Sequence, residues 1–504
     1  MKTFEALNKL YENRKGFIVI GLTGRTGSGC STVAQLLSQE ISVLNLPAPD
    51  DYGSSEKRKY EIIYRYIKEN WEPFHWIQLK DIITSFIVEN DFTSFSQYIY
   101  EQLQIEKEEI KIDFEQSIKE EYDSLHKYRK DIHILRKQIE ESGSKDQNEI
   151  DSRRKQSFEF YFKKLPLFSF KLKTLLNKLS EESYTRLYQL IGDNIRCSGN
   201  ALDSTFNPDL IFRLSRRVNK IIKLLRKINQ DKPTYVVIDA LRNPYEAIYF
   251  RERYSAFYLL AISTKNDDRI KRLQKDFNYN EIQIKQLDKK EYPEKLKGEQ
   301  QFFSQNLPKC IEIADIHINN NQIGEDDLSD VKKQLAKYVT LIMHPGIVPP
   351  SHNERCMQIA HNAKLNSGCL SRQVGAAVTD SHYALKSIGW NATPEGQIPC
   401  ILRNAEKLLN NEDKQAFSYY ENNNIEFRTL LKDTYKTIVT SSNIRGKLKG
   451  INVSYCFKDI KNRLDKEKNQ VHTRSLHAEE NAFLQIAKYG GQGIQGGILF
   501  TTGL

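Results

Sequence analysis

The fold of this 504-residue chain is decided first by one stretch, Phe17-Ile18-Val19-Ile20-Gly21-Leu22-Thr23-Gly24-Arg25-Thr26-Gly27-Ser28-Gly29-Cys30-Ser31. Its apolar beginning predicts a buried strand, and its glycine-rich part predicts a tight turn. The following residues, Thr32 to Leu37, have the apolar spacing of a helix. Strand, glycine loop and helix in this order predict the start of an α/β unit.

The glycine loop matches the phosphate-binding P-loop pattern at every position but one. Backbone N–H groups of such a loop surround phosphate oxygens, and the positive N-terminus of the following helix points at them. The position of the usual lysine is Cys30, whose neutral thiol supplies no positive charge. Arg25 could replace that charge in part, whereas a tight turn that binds nothing is the alternative interpretation.

A magnesium ion at this loop would involve Ser31 and Asp239, the latter at the end of a later predicted strand. An ordinary strand-end cap is the alternative for Asp239. We predict phosphate binding without efficient phosphoryl transfer. The predicted phosphate-binding residues are Gly24, Arg25, Thr26, Gly27, Ser28, Gly29, Cys30, Ser31, Thr32 and Asp239.

Further strands are predicted at 234–239, 256–262 and 314–318, and helical stretches between them favour a parallel sheet covered on both faces. A polar helical insertion is predicted at about 105–160, with a break near Ser142-Gly143-Ser144. The prolines after His344 indicate a linker. We therefore predict one domain at 1–343 and a second at 344–504.

The second domain has the predicted order α–β–β–α–β, which again indicates an α/β fold. A polar helical insertion separates its second strand from its second helix. The predicted elements are a helix at 353–367, strands at 374–379 and 385–390, the insertion at 402–468, a helix from about 477 and a strand at 497–501.

Composition narrows the class of protein. The seven cysteines are scattered without a Cys-x-x-Cys pair, which favours reduced thiols over a disulfide framework. No apolar run of about 18 residues and no signal peptide are visible, so we expect a cytoplasmic protein without a membrane partner. The net charge of +10 suits phosphate-bearing ligands but does not by itself indicate nucleic-acid binding.

The tripeptide His477-Ala478-Glu479 at a predicted helix start carries the most specific chemistry. A zinc deaminase needs a histidine and two thiolates on the metal, and also a carboxylate that moves protons without binding the metal. His-x-Glu places a ligand and such an acid side by side. By itself the tripeptide is a weak signal, because a surface histidine and glutamate in a first helical turn give the same pattern.

The surrounding residues strengthen this interpretation. Three segments occur in the order found in the deoxycytidylate deaminase family, which they resemble: 372–378 (Arg-Gln-Val-Gly-Ala-Ala-Val), 388–394 (Ile-Gly-Trp-Asn-Ala-Thr-Pro) and 477–482 (His-Ala-Glu-Glu-Asn-Ala). The resemblance implies a three-layer α/β/α domain of the cytidine deaminase type. It also implies that His477 binds Zn²⁺, that Glu479 shuttles protons, and that Asn391, Arg372 and Ala478 contact the substrate.

The glycine loop, with residues 238–246 (Ile-Asp-Ala-Leu-Arg-Asn-Pro-Tyr-Glu) and 314–316 (Ala-Asp-Ile), resembles the nucleoside monophosphate kinase group of P-loop proteins. In that group Arg269 and Arg272 would be lid arginines. Together the two halves resemble the bacterial anti-phage deoxycytidine nucleotide deaminases of the AvcD type. This implies hydrolytic deamination of dCTP or dCMP, with ATP or a dNTP at the first domain. It also implies a homo-oligomer and an inhibitory RNA, the latter from the resemblance alone.

Two other functions remain open. One is a housekeeping dCMP deaminase with a nucleotide-sensing domain, and the other is a P-loop nucleotide switch whose deaminase half is inactive. Deamination of nucleic acid is disfavoured, because no platform of interleaved aromatic and basic residues surrounds the motif.

The family's Pro-Cys-x-x-Cys ligands would follow the strand at 497–501, and the sequence ends at Leu504. We therefore expect a fragment of a longer protein and weak or no deaminase activity of these residues alone. Cys400, Cys456 and His472 form either a second, structural zinc site or three ordinary side chains.

Overall fold

The computed structural model describes residues 9, 15–50, 53–142, 147–179, 183–230, 232–277, 279–293, 296, 298–321, 328–440, 448–467, 469–490 and 493–503. Packing divides the chain into two compact units, Met1–Val348 and Pro349–Leu504. Within the described residues, no helix is both long enough and apolar enough to cross a bilayer.

The first unit contains a five-stranded sheet with the order β2-β3-β1-β4-β5. The strands are β1 (Phe17–Thr23), β2 (His75–Gln78), β3 (Thr234–Asp239), β4 (Phe257–Ser263) and β5 (Ile316–Asn319). Each of the four pairings is parallel, which confirms the predicted parallel α/β sheet. The strand β2 was not predicted, because it has four residues and buries only Ile77.

The helices of the first unit are α1 (Cys30–Leu37), α2 (Ile41–Leu44), α3 (Ser55–Asn70), α4 (Leu79–Ile87), α5 (Phe92–Leu103), α6 (Glu108–Ser142), α7 (Gln147–Glu159), α8 (Leu165–Leu179), α9 (Ser183–Ser198), α10 (Arg213–Asn229), α11 (Pro244–Arg253), α12 (Asn266–Phe277), α13 (Glu281–Glu291), α14 (Gln300–Phe303), α15 (Leu307–Glu312) and α16 (Ser329–Met343). A π-helical turn at Phe160–Lys164 joins α7 to α8, and a 3₁₀ turn at Pro208–Leu210 precedes α10.

Helices cover both faces of this sheet. Since neighbouring strand residues point to opposite sides, consecutive residues of β1 show which helices cover each face. Ile18 and Ile20 of β1 belong to one apolar cluster, which includes buried residues of α1, α3 and α16. Val19 belongs to a second cluster, which includes buried residues of α4, α10 and α11. The predicted two-sided cover is therefore confirmed.

The helical segment between β2 and β3 extends from α4 to α10, well beyond the insertion predicted at about 105–160. The long helix α6 is charged, yet it buries Phe114, Ile118 and Tyr122 in the core of the unit. The ring of Tyr122 stacks on Phe95 with 5.4 Å between centroids. The predicted insertion is therefore part of a packed helical layer. Its predicted break near Ser142 involves residues 143–146, which lie outside the described part of the chain.

The second unit contains an antiparallel sheet with the order β7-β6-β8. Its strands are β6 (Gly375–Thr379), β7 (Leu385–Trp390) and β8 (Ile498–Thr501). The helix α17 (His352–Lys364) and the helix α22 (Ala478–Tyr489) give the predicted α–β–β–α–β order, with α22 after the insertion.

The insertion of the second unit contains α18 (Ala405–Leu409), α19 (Tyr419–Asn423), α20 (Ile425–Thr440) and α21 (Phe457–Asp465), with 3₁₀ turns at Cys400–Leu402 and Lys414–Ala416. Arg403 and Glu421 form an ion pair there with both side chains fully buried. The hydroxyl of Tyr455 donates to the Glu421 carboxylate over 2.6 Å. Such a pair is stable only when each charge keeps its partner.

The two helices pack on opposite faces of the small sheet. Ala376 and Val378 of β6 contact Ala478 and Ala482 of α22, whereas Ala377 belongs to the cluster that contains α17 residues. At Gly389 of β7, an added Cβ would lie 2.3 Å from the carbonyl oxygen of Ala478 and 2.4 Å from the backbone nitrogen of Ala482. Glycine at this position therefore allows α22 to approach the sheet.

We expect Gly389→Ala to destabilise the second unit by about 2 kcal/mol, because the added methyl group overpacks the contact between β7 and α22. Calorimetric thermal unfolding measures the effect. The matched control is Gly493→Ala, where a Cβ would meet nothing within 4 Å. Equal unfolding midpoints for the two variants would contradict the close packing.

Candidate functional site

The glycine loop joins β1 to α1 at the carboxyl edge of the first sheet. Gly29 has a φ of +98°, and a Cβ there would lie 2.1 Å from the side-chain nitrogen of Asn320. No side chain caps the N-terminus of α1, and its first turn contains no acidic residue. The first N–H groups of a helix lack partners within the helix. The loop therefore presents donors that suit an anion.

A cavity of about 730 Å³ opens at this loop. Such a volume is typical of small-molecule sites. Every predicted phosphate-binding residue except Ser28 lines the cavity, and Arg242, Lys271, Arg272 and Asn320 line it as well. Ser28 is buried, and its carbonyl oxygen accepts a hydrogen bond from the Asn320 amide over 2.8 Å.

Asp239 lies at the end of β3, where the Ser31 hydroxyl donates to its Oδ2 over 2.9 Å. Burial raises the pKa of Asp239, whereas the Ser31 hydroxyl, Arg242 and the Trp76 side chain act to lower it. A carboxylate oxygen and a hydroxyl so placed fit a magnesium ion, which Ser31 would bind directly and Asp239 through water.

Cys30 cannot act as the missing cation. Burial and the Asp239 carboxylate raise the pKa of its thiol to about 12. The thiol therefore stays neutral at physiological pH. Positive charge at the cavity comes from Arg25 of the loop and from the arginines and lysines of other segments, namely Arg242, Lys271, Arg272 and Lys275.

Two arginine side chains donate hydrogen bonds to backbone carbonyl oxygens of the glycine loop. Arg269 is 1% exposed, and its guanidinium donates to the carbonyl oxygen of Thr26 and to Asp288. Arg272 donates to the carbonyl oxygens of Gly27 and Asn320. Of the two predicted lid arginines, Arg272 lines the cavity and Arg269 is buried behind the loop.

Sequence reasoning missed Arg242, Glu291 and Asn320 at this site. Arg242 and Asn320 closely follow the ends of β3 and β5, so their positions after predicted strands were an available signal. Glu291 is the last residue of the polar helix α13, where no pattern distinguishes it from exposed glutamates.

In the second unit, the three resemblance segments meet at Asn391. Its side-chain oxygen accepts from the backbone N–H of Val374 over 2.6 Å, and its amide nitrogen donates to the carbonyl oxygen of Leu476. The N–H of Leu476 donates in turn to the carbonyl oxygen of Ala392 over 2.9 Å. Asn391 is 8% exposed, so it fixes the backbone that leads into His477. Its predicted substrate contact stays a prediction.

The two adjacent glutamates after His477 differ in their contacts. His477 is the N-cap residue of α22, and its backbone N–H donates to the Glu480 carboxylate over 3.0 Å. Glu479 instead accepts a hydrogen bond from the Thr501 hydroxyl on β8. Glu480 thus caps the helix, while the Glu479 carboxylate lies beside the end of a strand.

The other two predicted substrate contacts lie in different environments. Ala478 is fully buried in the apolar cluster that contains Ala376 and Val378 of β6. Arg372 is exposed in the segment before β6. Neither placement tests the predicted contact.

The described residues supply His477 but no complete zinc site, which needs three protein ligands in a catalytic centre. In that part of the chain, no group of three or more His, Cys, Asp and Glu residues is arranged to hold a metal ion. Of the residues considered for a second zinc, His472 contacts Asp465 over 3.3 Å and Cys400 is buried. Zinc binding therefore stays a prediction for both sites.

No protein-family model, curated protein or solved structure matches this chain.

We expect iodoacetamide at pH 8 to alkylate Cys30 roughly a thousandfold more slowly than an ordinary cysteine, because only the thiolate reacts. Asp239→Asn removes a charge that raises the pKa of the thiol, so alkylation should become faster. Peptide mass spectrometry over time measures both rates. The control is Asp268→Asn, which removes another carboxylate from the cavity lining. Equal acceleration by both variants would show that Asp239 has no specific effect.

Proposed function

We propose that the second unit is the catalytic part of an enzyme that hydrolytically deaminates free deoxycytidine nucleotides, and that the first unit binds a nucleotide. The observation that carries the proposal is the junction at Asn391. Hydrogen bonds of this residue and its neighbour join Val374, Ala392 and Leu476, so segments that are far apart in sequence converge beside His477.

Glu479 is the proposed acid–base residue because its carboxylate is separate from the capping contact that Glu480 makes. Proton transfer by a positioned carboxylate is what deamination requires of the protein. His477 would supply one zinc ligand. Since the described residues do not complete a zinc site, zinc itself rests on the resemblance to the deoxycytidylate deaminases.

The resemblance extends the proposal to dCTP or dCMP as substrate and to nucleotide depletion in defence against phage. The resemblance further extends the proposal to a cytoplasmic location, a homo-oligomeric state and inhibition by an RNA. A housekeeping dCMP deaminase would instead act on the monophosphate alone. An inactive deaminase half would give no product from either nucleotide.

The test is to incubate the full-length protein with dCTP and with dCMP and to measure ammonia and deoxyuridine nucleotides. We expect Glu479→Gln to lower the rate at least about a hundredfold, because a general acid–base residue is lost. The matched control, Glu480→Gln, should keep the activity and lower only thermal stability. Activity that survives Glu479→Gln would disprove the assignment. Zinc content lost in His477→Ala would support the proposed ligand.

For the first unit, the uncapped α1 and the contact between Ser31 and Asp239 support binding of a phosphate group together with magnesium. We expect Gly29→Val to abolish ATP or dNTP binding, because a side chain there is strained and meets Asn320. Isothermal titration calorimetry measures the affinity, and Gln35→Val on the exposed side of α1 is the control. Unchanged affinity in Gly29→Val would refute the phosphate cradle. If that variant fails to fold, Ser31→Ala should weaken magnesium-dependent binding.

A further inference from the structure

The Glu291 carboxylate already occupies part of the glycine loop. It accepts from the backbone N–H of Thr26 at 3.1 and 3.2 Å and also from the Thr26 hydroxyl. Arg242 donates to the same carboxylate over 2.7 Å and to the Thr26 hydroxyl over 2.8 Å. The Glu291 side chain is fully buried. The Glu291 carboxylate therefore occupies the backbone N–H of Thr26, a donor of the loop that a phosphate oxygen would otherwise use.

A second carboxylate of α13 acts on the same part of the loop. Asp288 pairs with Arg25 over 2.7 Å and with Arg269 over 2.8 Å. The helix α13 thus neutralises Arg25 and Arg242, two of the cations that line the cavity. The positive charges of Arg25 and Arg242, which could compensate for the missing P-loop lysine, are therefore already paired with carboxylates of α13.

The remaining charges of the lining are balanced. Apart from Arg25 and Arg242, the cavity is lined by three cations and three carboxylates, namely Lys271, Arg272, Lys275, Asp239, Asp268 and Asp276. A triphosphate brings about four negative charges, for which this lining offers no excess of positive charge. A single phosphate group requires much less compensation.

The other end of the loop is prepared for an anion. The N-terminus of α1 has no capping side chain, and its first residues, Cys30, Ser31 and Thr32, line the cavity. One phosphate group can therefore bind at α1 while Glu291 stays on Thr26.

We propose that Glu291 selects ligands by the length of their phosphate chain. The cavity takes a ligand with one phosphate group at α1, and a triphosphate binds only by displacing the carboxylate from Thr26. This inference rests on the proposed phosphate binding by the loop, and it makes a monophosphate the favoured ligand class.

The experiment compares sodium orthophosphate with sodium tripolyphosphate by isothermal titration calorimetry on the full-length protein, at fixed pH and ionic strength. We expect Glu291→Gln to tighten tripolyphosphate binding on the order of tenfold, because Thr26 and Arg242 lose a charged competitor. Orthophosphate binding should change by less than about twofold. Glu281→Gln, an exposed position in the first turn of α13, removes the same charge and should change neither affinity.

Unchanged or weaker tripolyphosphate binding in Glu291→Gln would overturn the inference while leaving the phosphate cradle intact, provided that both anions bind the wild type. Equal tightening for both anions would also overturn it, because the effect would then be general electrostatics. If neither anion binds the wild type, the cradle and this inference fail together. If Glu291→Gln does not fold, Asp288→Asn should tighten tripolyphosphate selectively but to a smaller extent. Failure of that selective effect overturns the inference.

Discussion

Parallel pairing of β1 with β3 and β4 is the constraint on which the first unit's cavity depends. Because Gly21 is opposite both Ile238 and Leu259, the carboxyl ends of the three strands lie at one edge of the sheet. The glycine loop and Asp239 leave that edge together, which permits the hydrogen bond from Ser31 to Asp239. A slip of one residue would turn Asp239 to the other face and separate these groups.

Most of the first sheet could be predicted from the sequence, because its strands are continuous apolar runs of the kind that parallel sheets require. The side-chain contacts that hold the glycine loop could not be predicted. The hydrogen bond between Thr26 and Glu291 joins residues that are 265 positions apart, and both belong to types that are ordinarily exposed. Local patterns contain no information about which distant helix end reaches a loop. The same limit applies to β2, whose single buried residue gives no alternation.

In the second unit, short motifs predict roles for His477, Glu479 and Asn391, and these roles stay predictions. The His-x-Glu spacing points to Glu479, but it did not predict the different contacts of Glu479 and Glu480. That difference depends on rotamers and on β8, since one carboxylate meets the N–H of His477 and the other meets Thr501. Nor does any local pattern indicate that Arg403 and Glu421 are fully buried, because an isolated arginine and glutamate 18 residues apart ordinarily indicate solvated surface.

Two buried carboxylates of this chain have different surroundings. Glu421 is enclosed with Arg403 and Tyr455, so nothing can replace it and removing one partner leaves an uncompensated charge. Glu291 is equally buried, but its partners Thr26 and Arg242 line a cavity, where the proposed phosphate ligand would meet them. A phosphate can satisfy the same donors that the carboxylate satisfies. The surroundings of the partners, rather than the burial of the acid, decide whether such an ion pair only stabilises the fold or also competes with a ligand.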